Sequence, residues 1–197
     1  ASNYGYKGHS PLFQNVVFQS NQVRFTTSDY HRYGGAVYAY QSTPYFRNVT
    51  FKYNTASRSG GAFHAQNADT NKTITFERTT FTSNYTDPGE SETEQYGGAV
   101  YLNNLGKVVF KNCVFDSNTV NMNSNGTHQG GAVYASSLYD SLVVSNTKFR
   151  YNKIYKPSGN NAGRANAGAM YVRARGHFLV TNSIFIGNEA VSSIYTH

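Results

Sequence analysis

The sequence predicts an all-β protein, a single-stranded right-handed parallel β-helix of about six coils of roughly 33 residues each. Three observations lead to this prediction. A motif of two phenylalanines and two asparagines recurs along the chain, a run of small residues recurs between its copies, and no segment keeps a helical period. The whole chain, residues 1–197, is therefore expected to form one repeat domain.

The first motif reads F-x-N-x-x-F-x-x-N, as in residues 46–54. Its second phenylalanine occurs six times, at separations of 33, 30, 34, 34 and 36 residues. A period in this range is typical of solenoids, propellers and arrays. A propeller blade usually needs about 40 residues or more, and a leucine-rich repeat needs leucine at fixed offsets, so the β-helix fits best.

Coils of a parallel β-helix lie about 4.8 Å apart, so equivalent side chains stack on themselves. The second phenylalanine should therefore form a core ladder, and the last asparagine should form a ladder at a corner, where amides can bond along the stack and to the backbone. The core positions, at which the repeat units are centred, are Phe18, Phe51, Phe81, Phe115, Phe149 and Phe185. The asparagine positions are Asn21, Asn54, Asn84, Asn118, Asn152 and Asn188.

The second motif is a run of small residues at 34–36, 60–62, 97–99, 130–132 and 167–169, which reads Gly-Gly-Ala except for Ala167 in the last copy. Glycine supplies backbone freedom where the next strand begins, and alanine keeps the corner narrow. The residues that follow alternate between β-branched and aromatic types, which indicates strand.

This alternation predicts a surface aromatic stripe formed by Tyr38, His64, Tyr101, Tyr134 and Tyr171. Such a stripe could stack on sugar rings or on a neighbouring protein. Alternatively, tyrosine is simply favourable on a β-sheet and ladders with itself, which is the interpretation that we favour from the sequence.

The alternation of Gly-Gly-Ala with F-x-x-N resembles the repeat of the chlamydial polymorphic outer membrane proteins, over nearly the whole chain from Phe13 to Asn188. The resemblance implies a right-handed parallel β-helix, a secreted or surface location, and a role in adhesion or surface architecture, as in the passenger segments of these surface autotransporters. Ala167 departs from the family pattern. Four N-x-S/T sequons, at Asn48, Asn71, Asn84 and Asn125, allow glycosylation of a secreted protein.

Composition argues against several other functions. The net charge is +7, but no recognised nucleic-acid module is present, so no nucleic-acid partner is expected. No apolar run approaches the roughly 20 residues of a membrane span. Cys113 is the only cysteine and the six histidines lack metal-ligand spacing, so neither a disulfide, a metal nor a cofactor is predicted.

An enzyme is the alternative class, because parallel β-helices often act on polysaccharides. A pectate-lyase-like protein that binds or cleaves polysaccharides would need paired carboxylates, or carboxylate-bound calcium, on one face. The ten acidic residues form no such cluster, and the acidic stretch 87–94 lacks the spacing of a calcium loop. The sequence therefore predicts no catalytic residue and no enzyme.

The predicted function is that of an extracellular or cell-surface structural and adhesive protein whose leader has been removed. Open strand edges template further pairing unless they are capped, so uncapped coils should stack head to tail into a filament of identical chains. Glycans or host and cell-surface molecules are the other expected partners. Alternatively, the chain is a passenger piece of a longer surface protein.

Overall fold

The computed structural model describes residues 9–24, 32–87, 94–122, 126–155 and 163–191. These residues form 26 β-strands arranged in five parallel sheets, and none of them is helical. The chain winds into a β-solenoid of about five turns with about 34 residues in each, which confirms the predicted fold class. In the parts of the chain that the structure describes, no helix has the length and apolarity of a membrane span.

The five sheets run along the solenoid, and each takes one strand from successive turns. Sheet 1 carries the first phenylalanine of the motif and consists of Leu12–Gln14, Tyr45–Arg47, Thr73–Glu77, Lys107–Lys111, Ser141–Ser145 and His177–Thr181. Sheet 2 carries the second phenylalanine and consists of Val17–Gln19, Thr50–Lys52, Thr80–Thr82, Val114–Asp116, Lys148–Arg150 and Ile184–Ile186.

The other three sheets follow in the order of the chain. Sheet 3 follows the ladder asparagine and consists of Gln22–Val23, Thr55–Ala56, Tyr85–Thr86, Thr119–Asn121, Lys153–Tyr155 and Glu189–Ala190. Sheet 4 precedes the small-residue run and consists of Gln95–Tyr96, Thr127–Gln129 and Arg164–Asn166. Sheet 5 follows that run and consists of Val37–Tyr40, Phe63–Gln66, Val100–Leu105, Val133–Leu138 and Met170–Arg173.

The phenylalanines of the two motif positions form two parallel ladders inside the solenoid. In sheet 2 the successive rings lie 4.6–4.9 Å apart between centroids and within 10° of parallel, from Phe18 to Phe185. In sheet 1 the corresponding rings from Phe13 to Phe110 are 4.9 Å apart. The ladders meet edge to face, which is a preferred aromatic geometry and fills the core.

Sharp corners separate sheets 1, 2 and 3. The residues between sheets 1 and 2 all have φ between 46° and 57°, and they are Asn15, Asn48, Arg78, Asn112, Asn146 and Asn182. Asparagine is one of the few residues that tolerate this left-handed conformation, so its recurrence in the motif has a backbone cause. A second left-handed column lies between sheets 2 and 3 and consists of Ser20, Tyr53, Ser83, Ser117, Tyr151 and Gly187.

The last asparagine of each motif forms a buried hydrogen-bonded ladder at this second corner. In Asn118, which is 0% exposed, Oδ1 accepts hydrogen bonds from the backbone N–H and from Nδ2 of Asn84, both at 3.0 Å. Its Nδ2 donates to the carbonyl oxygen of Phe81 at 3.0 Å and to Oδ1 of Asn152 at 2.9 Å. The amide is thus fully paired, which offsets the cost of burying it.

The small-residue run lies where the backbones of successive turns approach each other too closely for a larger side chain. A Cβ atom on Gly61 would lie 2.2 Å from the carbonyl oxygen of Gly98, so only glycine fits there. The first residue of the run is left-handed in every turn. It is glycine in four turns, but in the last described turn Ala167 adopts a φ of 66°.

Replacing Asn118 by Ala is expected to destabilise the fold by about 3 kcal/mol or more, because it leaves the buried Asn84 N–H and Phe81 carbonyl unpaired. Asn71→Ala is the control, since Asn71 is exposed and should change stability by no more than about 0.5 kcal/mol. The free energies of unfolding from urea titrations measure both. Equal effects of the two changes would contradict a stabilising ladder.

Replacing Ala167 by Gly is expected to stabilise the fold by about 0.5–1 kcal/mol, since the relief of left-handed strain exceeds the entropy that glycine adds to the unfolded chain. The reverse change in the preceding turn, Gly130→Ala, should be destabilising, because its Cβ would lie 2.1 Å from the carbonyl oxygen of Val133. Urea midpoints test both. A destabilising Ala167→Gly would show that the corner is relaxed.

Candidate functional surfaces

The predicted aromatic stripe forms a continuous column on the outer side of sheet 5. The rings of Tyr101 and Tyr134 stack at 5.0 Å and 9°, and those of Tyr134 and Tyr171 at 5.4 Å and 5°. His64 stacks on Tyr101 at 4.2 Å, and Tyr38 tilts against His64 at 5.2 Å. The ring faces therefore contact one another, and no space remains for a sugar ring to lie flat between them.

His64 departs from the predicted exposed stripe, because only 1% of it is accessible to solvent. Tyr33, from the preceding turn, lies 4.6 Å from the His64 ring and covers it from one side, while Tyr101 covers it from the other. The alternation of the strand placed His64 on the outer face of the sheet but could not show this covering.

A chain of hydrogen bonds fixes the orientation of the His64 ring, and burial holds the ring in its neutral form. Ser59 Oγ lies 2.9 Å from Nδ1, and Nε2 lies 3.3 Å from Oε1 of Gln66, whose Nε2 in turn donates to the Tyr38 hydroxyl. Because the Gln66 oxygen only accepts, Nε2 of His64 donates and Nδ1 accepts from Ser59. Burial lowers the pKa of His64 to about 3. Ser59 is itself 2% exposed, so this pair cannot reach a substrate.

A second column of side chains, in part aromatic, flanks the stripe and was not predicted from the sequence. Tyr33, Ser59 and Tyr96 pair in register immediately before the small-residue run, and Gln129 and Asn166 continue the column. Tyr96 packs on Tyr134 at 4.7 Å between centroids. Each residue of this column directly precedes a small-residue run in the sequence, and this constant spacing could have identified the column.

The predicted glycosylation sites lie in different environments. Asn48 and Asn71 are exposed, and Asn125 lies outside the described residues. Asn84 belongs to the buried ladder, where its Nδ2 donates to the Phe51 carbonyl at 3.0 Å. A glycan would have to be attached to that nitrogen, so the prediction for Asn84 is corrected: this fold cannot accommodate the modification there.

The Cys113 thiol and the acidic side chains are the remaining candidates for chemistry. Cys113 is buried in the core, and burial raises the pKa of its thiol to about 12, so it is a poor nucleophile. Asp116 is paired with Arg150 at 2.8 Å on the outer side of sheet 2. Within the described ranges no three His, Cys, Asp or Glu side chains come together as metal ligands, and residues 88–93 of the acidic stretch lie outside those ranges.

The two end faces of the described solenoid form the other candidate surface. The core-facing side chains Phe178, Val180 and Phe185 of the last turn are exposed, and Phe185 is 45% accessible. They line an open apolar face together with Met170 and Val172. At the opposite end, the Phe13 and Phe18 rings are only partly buried. At each end, the phenylalanine side chains of one turn are therefore partly exposed, whereas the equivalent side chains of the inner turns are buried.

The low pKa of His64 predicts acid sensitivity. Between about pH 6.5 and pH 3 the unfolded chain binds a proton at this residue and the folded chain does not, so stability falls as the pH falls. The decrease amounts to about 1.4 kcal/mol per pH unit at most. Urea titrations at pH 7.5 and 4.5 should show a larger loss for the wild type than for His64→Gln, which cannot titrate. Equal losses would place the acid sensitivity elsewhere.

Comparison with known proteins bears on the repeat itself. Residues 48–66 match the family model of the Chlamydia polymorphic membrane protein repeat, and they span one F-x-x-N and one Gly-Gly-Ala segment. No curated protein and no solved structure matches at a significant level. This repeat family is not an enzyme family, and it is associated with the outer-membrane surface. The chain therefore carries a repeat of the polymorphic membrane protein type.

Proposed function

We propose that this protein is a non-enzymatic structural and adhesive element of a cell surface, a rod that extends by head-to-tail stacking with further copies of itself. The observation that carries this proposal is the complementarity of the two end faces. The surface-type repeat and the solenoid fold support an extracellular role.

The hydrogen bonds of the asparagine ladder have a direction. Each ladder residue donates its backbone N–H and its Nδ2 to Oδ1 of the asparagine in the next turn. Among the described residues, Oδ1 of Asn21 therefore lacks a donor from a preceding turn, and the N–H of Asn188 lacks an acceptor in a following one. Asn188 of one copy and Asn21 of the next have the polarity needed to continue the ladder across a joint.

The apolar groups of the two faces match in the same register. Phe185 and Phe18 occupy the same column of sheet 2, so stacking one copy on the next would continue the phenylalanine ladder at its existing spacing. The joint would also pair the strand edges of sheets 1, 2 and 3. A head-to-tail contact of this kind does not close on itself and produces a filament.

Rods that display long lateral faces suit adhesion, because every turn adds the same surface features at a constant spacing. The lateral faces of this solenoid carry tyrosines and basic side chains, and glycans or cell-surface molecules are the partners that we propose for them. A role without catalysis is supported by the repeat type and by the burial of Ser59, His64 and Cys113.

The stacking proposal predicts that Phe185→Glu prevents self-association, because the joint would bury an unpaired carboxylate. The matched control is Ile186→Glu, which places the same charge on the neighbouring residue of the same strand, where the side chain points to the lateral face and is similarly exposed. Sedimentation velocity and negative-stain images should show filaments for the wild type and for Ile186→Glu, and monomers for Phe185→Glu.

Two results would overturn the stacking proposal. One is a wild-type chain that stays monomeric at every concentration tested. The other is an identical assembly state for the two glutamate variants, which would place the contact away from the end faces. Circular dichroism of both variants checks that the β-structure is retained.

A further inference from the structure

A shallow groove runs along the solenoid at the corner between sheets 2 and 3, and we call it the serine groove. It is lined by Tyr53, Ser83, Tyr85, Ser117, Thr119, Asn121, Lys153 and Tyr155. Each lining side chain carries a hydroxyl, an amide or an ammonium group. No aliphatic side chain and no carboxylate is found among these described lining residues.

The groove exists because of the residues in the second left-handed column. Ser83 and Ser117 are small and adjacent in the stack, and Tyr53 precedes them in the same column. The lining extends from Tyr53 to Lys153, three turns further on, which corresponds to roughly 14 Å along the axis. This length suits a short run of linked sugar rings.

Tyr53 is an unusual residue for its position. A bulky side chain at φ 56° is an outlier of backbone conformation, and the serines of the same column show that a small residue suffices there. The Tyr53 side chain is 53% exposed and stands at the wall of the groove, where packing of the core does not require it.

The described aromatic rings of the groove do not stack on one another, unlike those of the column on sheet 5. Within the part of the chain that the structure describes, Tyr53, Tyr85 and Tyr155 stack on no other ring. The ammonium group of Lys153 lies over Tyr155, with Nζ 4.8 Å from the ring centroid. The exposed Tyr53 ring, beside hydroxyl and amide groups, fits a pyranose ring, which presents one apolar C–H face and a rim of hydroxyls.

A peptide strand is a poorer fit for the same groove. The backbone groups of sheets 2 and 3 point along the axis and are already paired between turns, as in Tyr85 N–H to the Asn54 carbonyl at 3.0 Å and Thr119 N–H to the Asn84 carbonyl at 2.9 Å. Strand addition needs an unpaired edge, and the lateral face offers none at these positions.

We propose that the serine groove binds a linear acidic oligosaccharide, laid along the solenoid axis. A sugar ring packs on Tyr53, and hydroxyls of the ligand bond to Ser83, Ser117 and Asn121. A sugar carboxylate approaches Lys153, which is the only charged group among the described lining residues. The groove lies on the side of the rod, so this binding does not depend on head-to-tail stacking.

The probes are linear trisaccharides of galacturonate, of glucuronate and of sialic acid, each compared with its neutral methyl ester by calorimetric titration. At least one acid form should bind to the wild type, with about tenfold weaker binding of its ester. Tyr53→Ser should weaken binding by about tenfold or more, and it should fold normally because serine occupies this column in three other turns. Lys153→Gln should remove the preference for the acid over the ester.

The matched control is Tyr151→Ser, which makes the same change in the same column at nearly the same φ, outside the lining of the groove. It should bind like the wild type. The proposal is overturned if no acid trisaccharide binds with a dissociation constant below about 1 mM. It is also overturned if the esters bind as well as the acids, or if Tyr53→Ser and Tyr151→Ser have equal effects. Assembly is measured separately with Phe185→Glu, so failure of stacking and failure of binding are distinguishable.

Discussion

The buried asparagine ladder is the interaction on which the rest of the solenoid depends. Sheet 2 must end in a left-handed corner, and the peptide groups beyond that corner are sealed from water by the neighbouring turns. Each asparagine amide bonds to the turn before it and to the turn after it, so the ladder also sets the register of the turns. The phenylalanine ladders can stack face to face only because this register is kept at every turn.

Sequence reasoning could predict the solenoid because its determinants are local and repeated. Phe51, Phe81 and Phe115 reveal a column once the period is known, and the recurring asparagines and small residues mark the corners. The burial of His64 could not be predicted in this way, because it depends on Tyr33 in another turn. The serine groove could likewise not be predicted. It arises because the small side chains of Ser83 and Ser117 lie between larger side chains of neighbouring columns, and the sequence does not show which columns are neighbours.

The solenoid has two physically different kinds of surface. On its sides the backbone hydrogen bonds are made between turns, so a partner can be recognised only by side chains, such as the ring edges on sheet 5 or the hydroxyls of the serine groove. At its ends the described strands present backbone groups and core side chains together. Lateral and axial contacts are thus chemically separate, and both can be made by the same rod.

The left-handed conformation of Ala167 makes the turns of the solenoid unequal in local stability. Each turn contacts only the adjacent turns, so a solenoid unfolds turn by turn, beginning where the contact between adjacent turns is least stable. Ala167 adopts a left-handed conformation that glycine adopts in the earlier turns, which lowers the local free energy of opening there. The last described turn is therefore expected to open before the turns around Phe81 and Phe115, which have glycine at this corner.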